Sequence, residues 1–129
     1  MKNILFAVML VSFLTVSLQA QGMPRTAGEF AKVCVDADAR TVARDPVLAL
    51  NRGFCIGYMQ GVLITNLLVD RLKRGQAFYC PAVEVSPDQG RKIFLKYMND
   101  HPEKLHEEPN FMVIESLVAA FPCKASATR

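Results

Sequence analysis

The stretch "DPVLALNRGFCIGYMQGVLITNLLVDRLKR", from Asp45 to Arg74, decides the fold. It opens on an Asp-Pro pair, the N-cap and first-turn residues of a helix, where the proline's missing N–H leaves no bond unmade. It closes on Arg71, Lys73 and Arg74, cations suited to the negative end of a helix dipole. Between them Leu50, Phe54, Tyr58, Gly61, Thr65, Leu68 and Leu72 recur at helical spacing, with Cys55, Val62 and Val69 widening the band. The pattern predicts a helix from Pro46 to Arg74, the longest in the fold, with that band turned to the core. Within it Gly53, Gly57 and Gly61 share a face, each at a cost of roughly 1 kcal/mol of helix propensity. A flat glycine face admits another backbone closely, either inside the monomer or across a dimer, where Tyr58 and Gln60 offer polar handles. No strand precedes these glycines, so they do not form a phosphate-binding loop.

Helix starts recur on both sides of this stretch. "TAGE", Thr26 to Glu29, has the form of a capping box, and "EFAKVCVDADARTVA" follows as a first helix. "SPDQ" combines Ser86 as cap, Pro87 at the first position and Gln89 three residues on; Ile93, Phe94, Tyr97 and Met98 then give a short apolar stripe. In "HPEKLHEEP", Pro102 reads as the first residue of a further helix, with Glu103 complementing its dipole. Phe111, Ile114, Leu117, Val118 and Phe121 form the last stripe, ended by Pro122. "YCPAVEVS" alternates briefly at Ala82 to Val85 but reads as a loop tied down by Cys80 and Pro81. The fold class is all-α, a small domain of four or five helices.

The chain begins "MKNILFAVMLVSFLTVSLQAQG", a basic start, a short apolar run and small residues at a cut site. This is the pattern of a secretory signal peptide over residues 1–20, with an uncleaved N-terminal anchor as the competing reading. Residues 21–129 then form one domain. No later segment reads as long and apolar enough to span a bilayer. The formal charge of +3 includes Lys2 and is too small to argue for nucleic acid.

All four cysteines, Cys34, Cys55, Cys80 and Cys123, lie in the exported part, and none forms C-x-x-C. Two disulfides are the reading for a small exported chain, rather than zinc, haem or thiol redox chemistry. In an antiparallel hairpin, facing residues lie equally far from the turn. The midpoint of Cys34 and Cys55 falls inside "ARDPV", that of Cys80 and Cys123 inside "DHPE", and both are helix-breaking corners. The pairs are therefore Cys34 with Cys55 and Cys80 with Cys123, each stapling one hairpin.

Catalytic constellations do not survive inspection. His101 and His106 are five apart, about 140° round a helix, whereas a zinc pair sits three or four apart. His101 reads as a cap or hinge, and His106 as a ring packed between helices. Asp36 with Asp38 and Glu107 with Glu108 diverge on a helix and read as solvated charge. With the thiols in disulfides and no serine elbow, the chain reads as a binder and not an enzyme, needing neither metal nor cofactor.

"CIGYMQGV" after an earlier Cys, "YCPAVEVSPDQ", "KYMNDHPEKLHEEP" and "LVAAFPC" follow one another between Ala31 and Cys123. In this order they resemble the Rap/Tai family of type VI secretion amidase immunity proteins. The resemblance implies a periplasmic, all-helical, disulfide-bonded protein, commonly a homodimer, that binds a peptidoglycan amidase effector. It implies steric occlusion of the amidase cleft by a protruding loop or helix end. The motifs are scaffold residues, so the contact residues are chosen by charge and exposure: Glu84 and Asp88 around "VEVSPDQ", and Asp100, His101, Glu107 and Glu108 around "NDHPEKLHEEP". An orphan helical envelope protein, a binder or chaperone with no amidase partner, is the alternative.

Overall fold

The computed structural model describes residues 22–35, 45–73 and 76–123. The signal-peptide reading, the Asp36 and Asp38 pair and Arg74 lie outside them. Among the described residues there are four α-helices and no strand: α1 (Ala27–Val35), α2 (Pro46–Leu72), α3 (Pro87–Asp100) and α4 (Pro109–Ala120). A single 3-10 turn, Pro102–Lys104, lies between α3 and α4.

The predicted caps form. Asp45 accepts the backbone N–H groups of Val47 at 2.8 Å and Leu48 at 3.4 Å, and Ser86 Oγ accepts that of Gln89 at 3.2 Å. Thr26 accepts from Glu29 at 3.2 Å, while the Glu29 carboxylate takes the N–H of Arg25, one residue earlier than a standard capping box, at 2.7 Å. The next two N–H groups of α1 leave the helix altogether. Ala27 donates to the Glu107 carbonyl at 2.7 Å and Gly28 to the Leu105 carbonyl at 2.9 Å. The corner between α3 and α4 therefore caps α1, and donors that a helix start leaves orphaned are satisfied across the fold. Gly28 suits this approach: a Cβ there would lie 3.1 Å from the Leu105 carbonyl oxygen and 3.3 Å from its Cβ, so the Leu105 backbone would have to give by a few tenths of an ångström.

Helix α3 packs against α1, α2 and α4, and α1 touches the other three helices. Phe30 of α1 sits where they meet, its ring 4.6 Å from that of Tyr58, 5.4 Å from that of Phe94 and 6.0 Å from that of Phe54. Cys34, Cys55, Met59, Tyr79, Met98, Val113 and Leu117 complete the core. Both predicted disulfides are present, with Cα–Cα distances of 5.3 Å for Cys34–Cys55 and 4.8 Å for Cys80–Cys123. The first joins α1 to α2; the second closes the open end of the α3–α4 hairpin, from the loop before α3 to the residues after α4.

Four expectations are corrected. The band predicted to face the core on α2 does so only in part: Cys55 is buried and Phe54, Tyr58 and Val62 pack against the core, but Leu50 is 64 % exposed, Leu68 49 % and Leu72 80 %. The buried side is Cys55, Met59 and Asn66. Periodicity groups co-facial residues, but this helix is apolar on two faces, and only packing chooses between them. In α4 the buried residues are Met112, Val113, Ser116 and Leu117, while Phe111 is 66 % exposed. Pro102 starts a three-residue 3-10 turn and not the last helix, which begins at Pro109. With prolines at both ends of the corner, the chain turns tightly at Pro102 and restarts its α-helix at Pro109. Lastly, α2 is long and apolar enough to cross a membrane by length and composition, with 11 % of its most apolar stretch buried. Its other side is committed to the core through Cys55 and Met59.

Candidate binding surface

Three surfaces carry the residues singled out by the sequence. The first is the α3–α4 corner. Lys104 holds it, donating to the Tyr97 hydroxyl at 2.8 Å and to the Glu115 carboxylate at 2.6 Å, with its ammonium 5.2 Å from the Tyr97 ring centre. The bond from Lys104 holds the Glu115 carboxyl below its usual range, and Glu115 with Tyr97 raises Lys104. His101 ends α3, donating its backbone N–H to the Tyr97 carbonyl; its ring lies 4.3 Å from that of Tyr97 and its Nδ1 3.0 Å from Glu103. The cap-or-hinge expectation for His101 thus holds at the backbone, without a side-chain cap bond. His106 is not packed between helices: it projects into solvent, with Nε2 3.2 Å from Glu107. Glu103, Glu107 and Glu108 are exposed around it, on a backbone anchored through the Ala27 and Gly28 bonds. The corner is a mostly acidic, exposed surface tied to α1 by two backbone bonds. Among the described residues no cluster of three or more metal-ligating side chains exists there or elsewhere.

The second surface is the loop from Gln76 to Ser86. Asn66, a buried polar residue inside the apolar α2, binds it like a clamp. Its Oδ1 accepts the N–H of Phe78 at 2.8 Å and that of Tyr79 at 3.3 Å, and its Nδ2 donates to the Tyr79 carbonyl at 3.0 Å. Cys80 adds its disulfide and a 2.9 Å bond from its N–H to the Phe121 carbonyl. Held in this way, the loop sends Tyr79 into the core and leaves Phe78, Val83 and Glu84 exposed. Burial pushes the Tyr79 phenol up to about 12, and its hydroxyl has no hydrogen-bond partner among the described residues.

Asp88, grouped with Glu84 by the sequence, is instead engaged in α3. It pairs with Lys92 at 2.9 Å and with Arg91 at 2.9 Å, and these bonds, that from Lys92 first, lower its carboxyl pKa. Arg91 also reaches the Cys34 carbonyl at 3.3 Å, tying α3 to the end of α1. Asp88 and Asp100 stand near opposite ends of α3, on the order of 18 Å apart at the helical rise per residue. The structure therefore does not bring the six loop residues into one site. It divides them between the 76–88 end, with Glu84 and Asp88, and the corner, with Asp100, His101, Glu107 and Glu108.

The third surface is the glycine face of α2. A Cβ added at Gly53, Gly57 or Gly61 would meet nothing within 4 Å, so the tight-packing alternative inside the monomer fails. Beside Gly57 and Gly61 lies a cleft of about 370 Å³ between α2 and α4, lined by Tyr58, Thr65, Phe78, Asn110 and Ile114. The Tyr58 hydroxyl donates to Asn110 Oδ1 across it. The sequence singled out neither Asn66 nor Phe78, and it placed Phe111 in an apolar stripe that the fold leaves exposed there. A lone Asn in the interior of an apolar helix was the available signal for the first.

Compared with known proteins, residues 25–123 match a family model described as Rap1a immunity proteins. No curated protein and no solved structure matches the chain. The matched span runs from the residue before the α1 cap to the last cysteine, and so takes in every described helix and both disulfides.

Proposed function

Because the chain belongs to the Rap1a immunity protein family, we propose that it protects its cell by binding a peptidoglycan amidase effector of type VI secretion and covering the amidase's catalytic cleft. An immunity protein acts on a protein partner, so this chain needs no catalytic group of its own. In this reading residues 1–20 direct export and are removed, and the oxidised domain works in the periplasm, as a homodimer. Its disulfides suit that compartment. The observation that carries the reading is the family match across the whole helical domain.

Two surfaces suit occlusion, because each is exposed and yet held by bonds that prevent collapse on contact: the 76–86 loop and the α3–α4 corner. A preorganised projection enters a cleft without a large ordering cost. Glu84 on one, and Asp100, His101, Glu107 and Glu108 on the other, are the contact residues of this reading.

The test is an inhibition titration. The chain is expressed with its leader, purified oxidised from the periplasm and mixed with the secreted effector made by the same organism, while release of cell-wall peptides is followed. Stoichiometric loss of amidase activity is expected, weakened by Glu84→Lys or by the pair Glu107→Lys and Glu108→Lys. Full amidase activity with no complex formed would remove the amidase from the reading and promote the orphan envelope binder. Inhibition untouched by all three charge reversals would move the contact to another surface.

A further inference from the structure

The two disulfides stand in opposite surroundings. Cys34 and Cys55 are both 0 % exposed and lie in the core with Phe30 and Met59, whereas Cys80 and Cys123 are both exposed. Thiol–disulfide exchange requires a thiolate to reach a sulfur, so access decides which bridge reacts. The core pair offers no approach from solvent and exchanges only from an opened state of the protein. Cys80, by contrast, lies in the wall of a cleft of about 970 Å³ between α2 and the 76–86 loop, where an attacking thiol has room.

What the exposed bridge restrains is equally specific. Asn66 fixes the loop at Phe78 and Tyr79, and Val85 is buried again at 7 % exposure. Between those anchors, residues 81–84 make no hydrogen bond or ion pair among the described residues. Cys80 supplies the restraint there, through its N–H on the Phe121 carbonyl and its disulfide to Cys123. With the bridge broken, the 2.9 Å hydrogen bond from Cys80 is what still ties this part of the loop to the end of α4. The helices keep ties of their own: Cys34–Cys55 joins α1 to α2, while the Lys104–Glu115 pair and the Ala27 and Gly28 bonds hold the α3–α4 corner.

We propose that Cys80–Cys123 is a redox site: an external dithiol opens it while Cys34–Cys55 stays closed, and the opened chain keeps its helices but loses the fixed shape of the loop that carries Glu84. The dithiol's first thiolate attacks Cys80 Sγ from the cleft and forms a mixed disulfide as the Sγ–Sγ bond breaks. The electron pair leaves on Cys123, which takes up a proton. The reagent's second thiolate then displaces Cys80, which is protonated in turn, and the reagent departs as its own disulfide. Two electrons pass to the protein and the dithiol is oxidised. In the immunity reading the open form binds the effector less well, because the loop must then be ordered on contact. Only that consequence rests on the proposed function.

The test starts from the chain purified oxidised from the periplasm. Dithiothreitol is added under native conditions, samples are quenched with iodoacetamide over time, and the peptides are mapped. Alkylation of Cys80 and Cys123 is expected on the order of a hundredfold faster than that of Cys34 and Cys55, with helical circular dichroism retained. Glutamyl endopeptidase then reads the loop: cleavage after Glu84 should accelerate in the opened form, while cleavage after Glu103 and Glu107 at the corner keeps its oxidised rate. Equal rates for the two bridges, or earlier opening of Cys34–Cys55, overturns the proposal. So does loss of the helical signal when the exposed bridge opens, or unchanged cleavage after Glu84. The amidase titration, repeated with the opened and alkylated chain, should need about tenfold more protein for half inhibition; equal inhibition by the two forms overturns the consequence for the effector. Alkylation and cleavage use no effector, so failure here is distinguishable from failure of the immunity reading.

Discussion

Replacing Asn66 by Leu removes the clamp on the 76–86 loop while nearly conserving volume. Three backbone groups lose their partner: the N–H of Phe78, the N–H of Tyr79 and the C=O of Tyr79. Phe78 is half exposed, so its N–H can recover a water; the Tyr79 groups belong to a residue 1 % exposed and cannot. At about 1 to 3 kcal/mol for each buried group left unpaired, offset by about 1 kcal/mol of added apolar burial, the expected loss is about 3 kcal/mol. For a domain of this size that lowers the melting temperature by roughly 10 to 20 °C. Urea unfolding followed by helical circular dichroism, with both disulfides intact, measures it. Asn66→Asp keeps the acceptor for two N–H groups but sets an oxygen against the Tyr79 carbonyl, so it should fall between wild type and Asn66→Leu. A change of less than about 0.5 kcal/mol for Asn66→Leu, the range of an ordinary surface substitution, would refute the claim that the side chain anchors the loop.

Other expectations follow from the same contacts. Gly28→Ala should destabilise by about 1 kcal/mol despite alanine's better helix propensity, because the new Cβ presses on the Leu105 backbone; equal or greater thermal stability would mean that the corner moves aside freely. Removing Cys34–Cys55 by double substitution to Ala should cost about 3 kcal/mol and removing Cys80–Cys123 about 4 kcal/mol, the larger loop losing more; chemical denaturation of the two variants ranks them. Asp88, Asp100, Glu103 and Glu115 all have lowered carboxyl pKa values in the fold. Their stabilisation is present above the unfolded carboxylate range and is lost as pH falls through the lowered values, so stability should decline below about pH 4.5. Lys104→Met releases the Glu115 carboxyl and should flatten that acid limb; an unchanged slope in urea titrations across the acid range would contradict the Lys104–Glu115 pairing.

The starts of α2 and α3, the cap of α1 and both disulfides were legible before any coordinates, because each depends on neighbours in sequence or on chain symmetry about a corner. Asp45-Pro46 and Ser86-Pro87 specify where N–H groups find an acceptor, and the midpoints of the cysteine pairs fall where prolines stop helices. The loop residues were legible only as exposed charges. Their division between two ends of α3 was not, since sequence proximity to a motif says nothing of the distance between motifs once a helix stands between them. The carbonyls of Leu105 and Glu107 capping α1 were equally invisible, as their partners lie in another helix.

The sequence by itself determined that the chain is helical, where most helices begin, and how the cysteines pair, because those properties come from hydrogen bonds and chain lengths that are local or nearly so. Only the tertiary structure decided that Met59 and Asn66 face inward while Leu50, Gly61 and Leu72 face out. The physical reason is that α2 is apolar on both sides: periodicity states which residues share a face, and only the packing of α1 and α3 selects the face that loses water.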